Sequence, residues 1–191
     1  MVKTTHLLKM LVRGFASEFP GGSFTLQVLG DLETDALRTR LDRLEDPIGQ
    51  IHPDLPSVAP LLYRGLAEAE SGWLRLNEAD ADRFRRVLQA LEGRGMVRSK
   101  SYIGAGVVTE FRISSPVFVL YLAERHGSQQ GIELVIKQVE ELERGRSLNG
   151  QLLAADTGVP IRVVQAVFER AEAEGLGRNS RTIGELRFTG R

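Results

Sequence analysis

The residue types that most often carry out catalysis are few and scattered in this chain. Its three histidines, His6, His52 and His126, lie in separate segments, and none has a close pattern of carboxylates. The chain contains no cysteine, which excludes disulfides and thiolate metal sites and is typical of a reducing compartment. A lone histidine is more often a capping or surface residue than a catalyst. We therefore expect no enzyme activity, no metal site and no cofactor.

The glycines do not have the spacing of a nucleotide-binding motif either. Gly104 and Gly106 enclose one alanine, but the third glycine of a dinucleotide fingerprint is absent and the stretch does not open a helix. The sequence also lacks a Gly-Lys-Ser or Gly-Lys-Thr phosphate loop and a Gly-x-Ser-x-Gly elbow. We interpret the glycine pair as a turn between two strands.

The composition is that of a globular protein without net charge. Of the 191 residues, 42% are hydrophobic, which is enough to bury a core. Lys and Arg total 25 and Asp and Glu total 25, so any contact with a nucleic acid must be local. No apolar run approaches the roughly 18 residues of a membrane helix, and the amino terminus has no hydrophobic signal core. The expected location is the cytoplasm, with no membrane partner.

The most informative stretch, residues 150–168, has the spacing of two helices joined by a tight turn. Ala154 is small enough for two helix backbones to approach closely, and Gly158, four residues later, accepts the positive φ of the turn. Three apolar residues then return to the same core: Val159, Val164 and Val167. This stretch resembles the helix-turn-helix of bacterial winged-helix DNA-binding proteins.

The residues that follow are typical of the winged form of this motif. Gly175 ends the second helix, Leu176 restarts the chain, and a polar turn precedes Leu186 and Phe188. We expect these residues to form a β-hairpin whose tip carries two basic side chains, Arg178 and Arg181.

The resemblance implies that the helix 160–174 lies in the major groove of duplex DNA. Arg162 and Gln165, near its start, would contact base edges, since Arg can pair with guanine and Gln with adenine by two hydrogen bonds each. It also assigns phosphate or minor-groove contacts to three further residues: Arg170, Arg178 and Arg181. Pro160 stands where Ser or Thr commonly caps this helix and touches a phosphate, so that contact is lost.

The last segment belongs to a repeat. Helices that begin at Leu37, Phe84 and Val164 each carry apolar or small residues at i, i+4 and i+7, and Glu at i+8. In the second and third copies a glycine follows that Glu by three residues, as Gly95 and Gly175, and an apolar strand start follows the glycine. A helix stop at one fixed place is harder to obtain by chance than amphipathicity alone.

These patterns predict a mostly α fold with small β-hairpins, of the α+β class, made of tandem winged-helix units joined by helices. The expected domains are a helical or degenerate winged-helix domain at 1–56, a winged-helix domain at 57–115, linking helices at 116–145, and a winged-helix domain with the helix-turn-helix at 146–191.

The 57–115 domain departs from the DNA-reading pattern. Asn77 is expected to cap a helix over residues 78–92, but no Ala-x-x-x-Gly turn precedes it. Three acids crowd the start of this helix: Glu78, Asp80 and Asp82. They would repel a phosphate backbone, so we expect this copy to be less suited to entering a groove. Four basic residues could still touch the backbone from its flank: Arg83, Arg86, Arg98 and Lys100.

Two functions are compatible with the sequence. The resemblance implies a sequence-specific duplex DNA-binding protein acting as a transcriptional regulator. The alternative is a tandem winged-helix adaptor that binds protein partners in a larger complex, such as an accessory subunit of a chromosome-condensing complex. The segment 116–145 could pair across a homodimer or pack on the chain's own domains. One exposed face of arginines favours DNA; their pairing with Glu169, Glu172, Glu174 or Glu185 favours the adaptor.

Overall fold

The computed structural model describes residues 48, 51–68, 72–100, 108–127, 129–182 and 185–191. The expected amino-terminal domain, residues 1–56, lies almost entirely outside these ranges, as does the glycine turn at 104–106. The described part contains α-helices and two small antiparallel sheets, in agreement with the expected α+β class. None of its helices is long and apolar enough to span a membrane.

Two groups of elements, joined by one helix, make up the described chain. The first unit consists of α1 (Leu55–Glu68), β1 (Leu74–Arg75), α2 (Glu78–Arg83), α3 (Arg85–Gly93), β2 (Val97–Lys100) and β3 (Glu110–Ile113). The connecting helix is α4 (Pro116–His126). The second unit consists of α5 (Gln129–Glu140), β4 (Ser147–Asn149), α6 (Gly150–Thr157), α7 (Ile161–Ala173), β5 (Gly177–Thr182) and β6 (Glu185–Gly190).

The two units have the same element order and the same strand order. Each runs helix, strand, helix, helix, strand, strand, and each forms a three-stranded antiparallel sheet. The strand orders are β1-β3-β2 and β4-β6-β5, so the last strand of each unit lies at the centre of its sheet. The second unit therefore takes its first helix, α5, from the segment that we expected to link the domains.

The repeat in the sequence corresponds to identical helix ends. Gly95 after α3 has φ +71° and Gly175 after α7 has φ +79°. The N–H of each glycine donates to the carbonyl three residues back, at 2.9 Å in both cases, and the next N–H donates to the carbonyl five residues back. This is a Schellman cap, which satisfies carbonyls at the helix end. The prediction that both glycines stop their helices is confirmed.

The repeated glutamates connect each helix to the following strand by a hydrogen bond. Glu92 Oε1 accepts from the backbone N–H of Ser99 at 2.8 Å, and Glu172 Oε1 accepts from that of Asn179 at 3.2 Å. The two bonds join positions seven residues apart in both units. Glu92 and Glu172 are therefore equivalent positions. Aligning the two units at this glutamate allows their helix faces to be compared position by position.

The predicted tight turn between α6 and α7 is also confirmed. Gly158 has φ +67° and ends α6 in the left-handed conformation. Val159 is 4% exposed, and Val164 and Val167 are fully buried. At the other end of α6, the side chain of Asn149 accepts from the N–H groups of Gln151 and Leu152 and so caps the helix.

The helix expected over residues 78–92 is interrupted, which corrects that prediction. Asn77 caps it as expected, its Oδ1 accepting from the N–H of Asp80 at 2.7 Å. Phe84, however, has φ −97° and ψ 11°, outside the helical region, and it separates α2 from α3. Phe84 is 4% exposed, so its ring lies in the core together with Ala81 and Val87.

One hydrophobic core runs through both units, and α4 lies at its centre. Seven consecutive residues of α4, from 117 to 123, are buried in the single chain. This helix packs against α1, β3, α5 and α7. The apolar face of α5 is buried in the same core, with Ile132 and Val135 at most 1% exposed. Of the two possibilities for 116–145, packing on the chain's own domains is the one that the structure contains.

Candidate nucleic-acid interface

The helix α7 packs against elements of both units, among them α1, α4, α5, α6 and β5. Arg162, expected to contact a base, donates through Nη1 to Gln165 Oε1 at 3.0 Å and through Nη2 to the carbonyl of Ile113 at 3.4 Å. A Cβ placed on Gly72 would lie 3.5 Å from Arg162 Cζ. Ile113 and Gly72 both belong to the first unit, so the Arg162 guanidinium lies against the neighbouring unit.

Gln165, the second expected base-reading residue, continues the same chain of hydrogen bonds. Its Nε2 donates to Glu169 Oε1 at 2.5 Å. Residues at positions i, i+3 and i+7 share one face of a helix, so Arg162, Gln165 and Glu169 form a single row. This row and Ala166 line a cavity of about 250 Å³ whose opposite side is formed by β2, β3 and the start of α4. The face of α7 that would meet bases is turned towards the first unit.

The three residues expected to contact phosphates do not extend that row. Arg170 forms an ion pair with Glu174 at 3.8 Å, and these side chains are only 11% and 21% exposed. Arg178 is opposite Thr189 in the sheet, at the end of the hairpin remote from the turn, which corrects its expected place at the tip. Arg181 is opposite Leu186, next to the turn. Because successive strand residues point to opposite faces, strand positions 178 and 181 belong to different faces of the hairpin.

The face of the first unit that is equivalent to this row of α7 is exposed to solvent. Aligning Glu92 with Glu172 matches the cavity-lining positions of α7, from 162 to 169, with positions 82 to 89 of the first unit. Four side chains stand there, and all are exposed: Asp82, Arg85, Arg86 and Gln89. We call the last three of these, Arg85, Arg86 and Gln89, the outer face of α3.

The outer face of α3 carries donors suited to base edges and phosphates. Arg85 pairs with Asp82 at 2.5 Å, with both side chains more than half exposed. The Arg86 side chain has no ion pair or hydrogen bond within the described part of the chain. Arg86 and Gln89 are three residues apart and therefore neighbours on the helix surface. From the sequence, Arg86 was expected only as a flanking contact and Gln89 was not expected at the interface; the offset of the repeat is the signal that identifies both.

Arginines without a carboxylate partner are concentrated in the first unit. Among the arginines of that unit, Arg85 is the one that the described structure pairs with a carboxylate. The others have no ion pair within the same residues: Arg64, Arg75, Arg83, Arg86, Arg94, Arg98 and Arg112. In the second unit, by contrast, three of the described arginines are paired with glutamate: Arg146, Arg170 and Arg187. Among the described residues, arginines without an ion pair are therefore more numerous in the first unit than in the second.

The acids at the start of α2 are partly engaged by neighbours. The Asp80 carboxylate accepts from Asn77 Nδ2 at 2.7 Å, and Asp82 is held by Arg85. Glu78 and Asp80 lie in the first turn of α2, where negative charge is favourable to the helix dipole. These contacts reduce, without removing, the repulsion that we expected between this unit and a phosphate backbone.

Within the described ranges, no group of three or more His, Asp or Glu side chains is arranged to hold a metal ion. Comparisons of this chain with known protein families, curated proteins and solved structures find no significant match.

Proposed function

We propose that this chain is a tandem winged-helix protein that binds duplex DNA, and that the outer face of α3 is the part that enters the groove. The observation that carries the proposal is the contrast between equivalent faces: Arg85, Arg86 and Gln89 are exposed, whereas Arg162, Gln165 and Glu169 line a cavity inside the molecule. A helix can read bases only if its side chains reach them, so α3 is the better candidate.

The repeated architecture supports the winged-helix part of this proposal. Helix, strand, helix, helix and a final hairpin, with the last strand central in the sheet, is the order in which a winged helix is built, and it occurs twice. The left-handed Gly158 supplies the tight turn before α7. The first unit has no left-handed residue between α2 and α3, which are separated at Phe84.

The chemistry of the outer face suits sequence readout. Arg86 can donate two hydrogen bonds to guanine, and Gln89 can both donate to and accept from adenine in the major groove. Arg83 and Arg94, exposed at the ends of α2 and α3, are placed to contact phosphates on either side. For Arg162 and Gln165 to read bases, as the sequence implied, the two units would have to separate.

A second candidate function, the protein-binding adaptor, is favoured by a different observation. Four large apolar side chains in the described residues are exposed, and all belong to the second unit: Leu134, Leu152, Ile161 and Leu176. Leu152 is 64% exposed, although it lies on the helix before the tight turn. Apolar surface is used at protein interfaces more than at DNA interfaces, which are polar and basic. The ion pair between Arg170 and Glu174 also favours the adaptor, because it occupies an arginine that was expected to contact phosphate.

Fluorescence anisotropy with a mixed pool of labelled duplex DNA, at a low and a physiological salt concentration, separates the two functions. DNA binding through α3 predicts affinity that falls steeply with salt. On a selected sequence, Arg86→Ala should cost about 1–3 kcal/mol of binding free energy. Arg144→Ala is the matched control, because Arg144 is also exposed and has no ion pair among the described residues. Absence of binding at low salt would make the adaptor the better account.

A further inference from the structure

The cavity between the two units brings together three guanidinium groups. Arg98 of β2 and Arg112 of β3 are direct partners in the antiparallel register, so their side chains leave the same face of the sheet. Arg162 of α7 lies on the opposite wall, and all three line the cavity. Two like charges directly opposite each other on paired strands destabilise a sheet, so this arrangement is unfavourable by itself.

Two of these guanidinium groups have no negatively charged partner among the described residues. The side chains of Arg98 and Arg112 form no ion pair or hydrogen bond within the described part of the chain. Glu169 is the one carboxylate among the residues lining the cavity, and its Oε1 accepts from Gln165. Arg98 and Arg112 together therefore bring more positive charge to the cavity than the one carboxylate of its lining can balance.

Hydrogen bonds within the protein hold the third guanidinium, that of Arg162, in place. The Ile113 carbonyl and Gln165 hold the Arg162 guanidinium at the cavity wall. Arg112 is half-buried and Arg98 is exposed, so the cavity is reachable from solvent beside Arg98. A planar guanidinium binds phosphate or carboxylate oxygens with two parallel hydrogen bonds, and partial burial strengthens such bonds.

We propose that this cavity binds a small dianion, a phosphate monoester or a dicarboxylate, between Arg98 and Arg112 on one side and Arg162 on the other. The volume of about 250 Å³ suits a small metabolite rather than a nucleotide or a drug-sized ligand. The dianion would neutralise the charge excess and relieve the repulsion between Arg98 and Arg112. This site is separate from the outer face of α3 and does not depend on DNA binding.

Isothermal titration calorimetry of the full chain with inorganic phosphate and with succinate, in chloride buffer of matched ionic strength, tests the proposal. At least one of the two dianions should bind with one-to-one stoichiometry. Arg112→Gln should weaken that binding about tenfold or more, because a charge-assisted hydrogen-bonding group is lost. Arg144→Gln, which removes a charge outside the cavity, should leave it unchanged. Arg98→Gln provides a second, exposed substitution if Arg112→Gln folds poorly.

A thermal-unfolding measurement gives an independent readout. Phosphate stabilises many proteins by exclusion from their surface, so the wild type and Arg112→Gln are compared at the same phosphate concentration. The wild type should gain more in Tm from phosphate than the variant does.

Two results would overturn the proposal. One is the absence of binding of either dianion, or equal binding by the wild type and Arg112→Gln. The other is a loss of duplex DNA affinity in Arg112→Gln without any binding of small dianions, which would make these arginines contacts to the DNA backbone. Failure of the α3 variants to alter DNA binding would leave this site unaffected, so the two proposals fail separately.

Discussion

Gly95 and Gly175 have the same task in the two units, and the sequence alone was enough to identify it. Each has a positive φ and completes a Schellman cap after its helix. The cap depends on neighbours within five residues, so a glycine at a fixed distance from a glutamate predicts it. The surroundings of Arg162 could not be predicted in this way, because its acceptor, the Ile113 carbonyl, is 49 residues away in the chain.

The Gly95 position offers a test of the cap. Gly95→Ala should lower the free energy of unfolding by about 1–2 kcal/mol, because alanine is strained in the left-handed region. No atom lies within 4 Å of the Cβ that would be added, so conformation and not collision causes the loss. Gly93→Ala is the control: its Cβ also meets nothing within 4 Å, and as a residue of α3 it should stabilise by up to about 1 kcal/mol. Chemical denaturation of both variants checks the difference in sign.

At the scale of elements, α7 has one face whose burial the sequence predicted and another whose burial it did not predict. Val164 and Val167 were expected in the core and are fully buried. The opposite face was expected to be free for DNA, yet Arg162 and Gln165 are half-buried against the first unit. Helical periodicity shows which side chains pack within a unit; it carries no information on how two units dock. The contact of Arg162 and Gln165 with the first unit therefore could not be predicted from the pattern of α7.

The packing of α7 makes a stability prediction. Phe168 is fully buried, and its ring centroid lies 5.2 Å from that of Phe188 in the central strand β6. Phe168→Ala should therefore lower the free energy of unfolding by about 3–5 kcal/mol. Ile161→Ala, on the same helix but at a side chain that is 38% exposed, should cost less than about 1 kcal/mol. Similar losses from both substitutions would contradict the central position of this helix.

At the scale of the whole molecule, the units share a core through α4 and should unfold together. Trp73 is the single tryptophan of the chain and belongs to the first unit, so its fluorescence reports on that unit. We expect the wild type to show one transition, with coincident Trp73 fluorescence and far-ultraviolet circular dichroism. Phe168→Ala, in the second unit, should shift both curves equally. A shift in circular dichroism alone would show that the units unfold independently.

The contact between the units also decides which helix face is accessible for the DNA binding that we propose. The structure leaves the outer face of α3 exposed and places the equivalent row of α7 at the cavity. The most direct test is to measure the affinities of Arg86→Ala and Arg162→Ala for the same duplex DNA, selected for binding to the wild type. Binding through α3 predicts a loss of about fivefold or more for Arg86→Ala and a change within about twofold for Arg162→Ala. A loss confined to Arg162→Ala would contradict the account and return the reading role to α7.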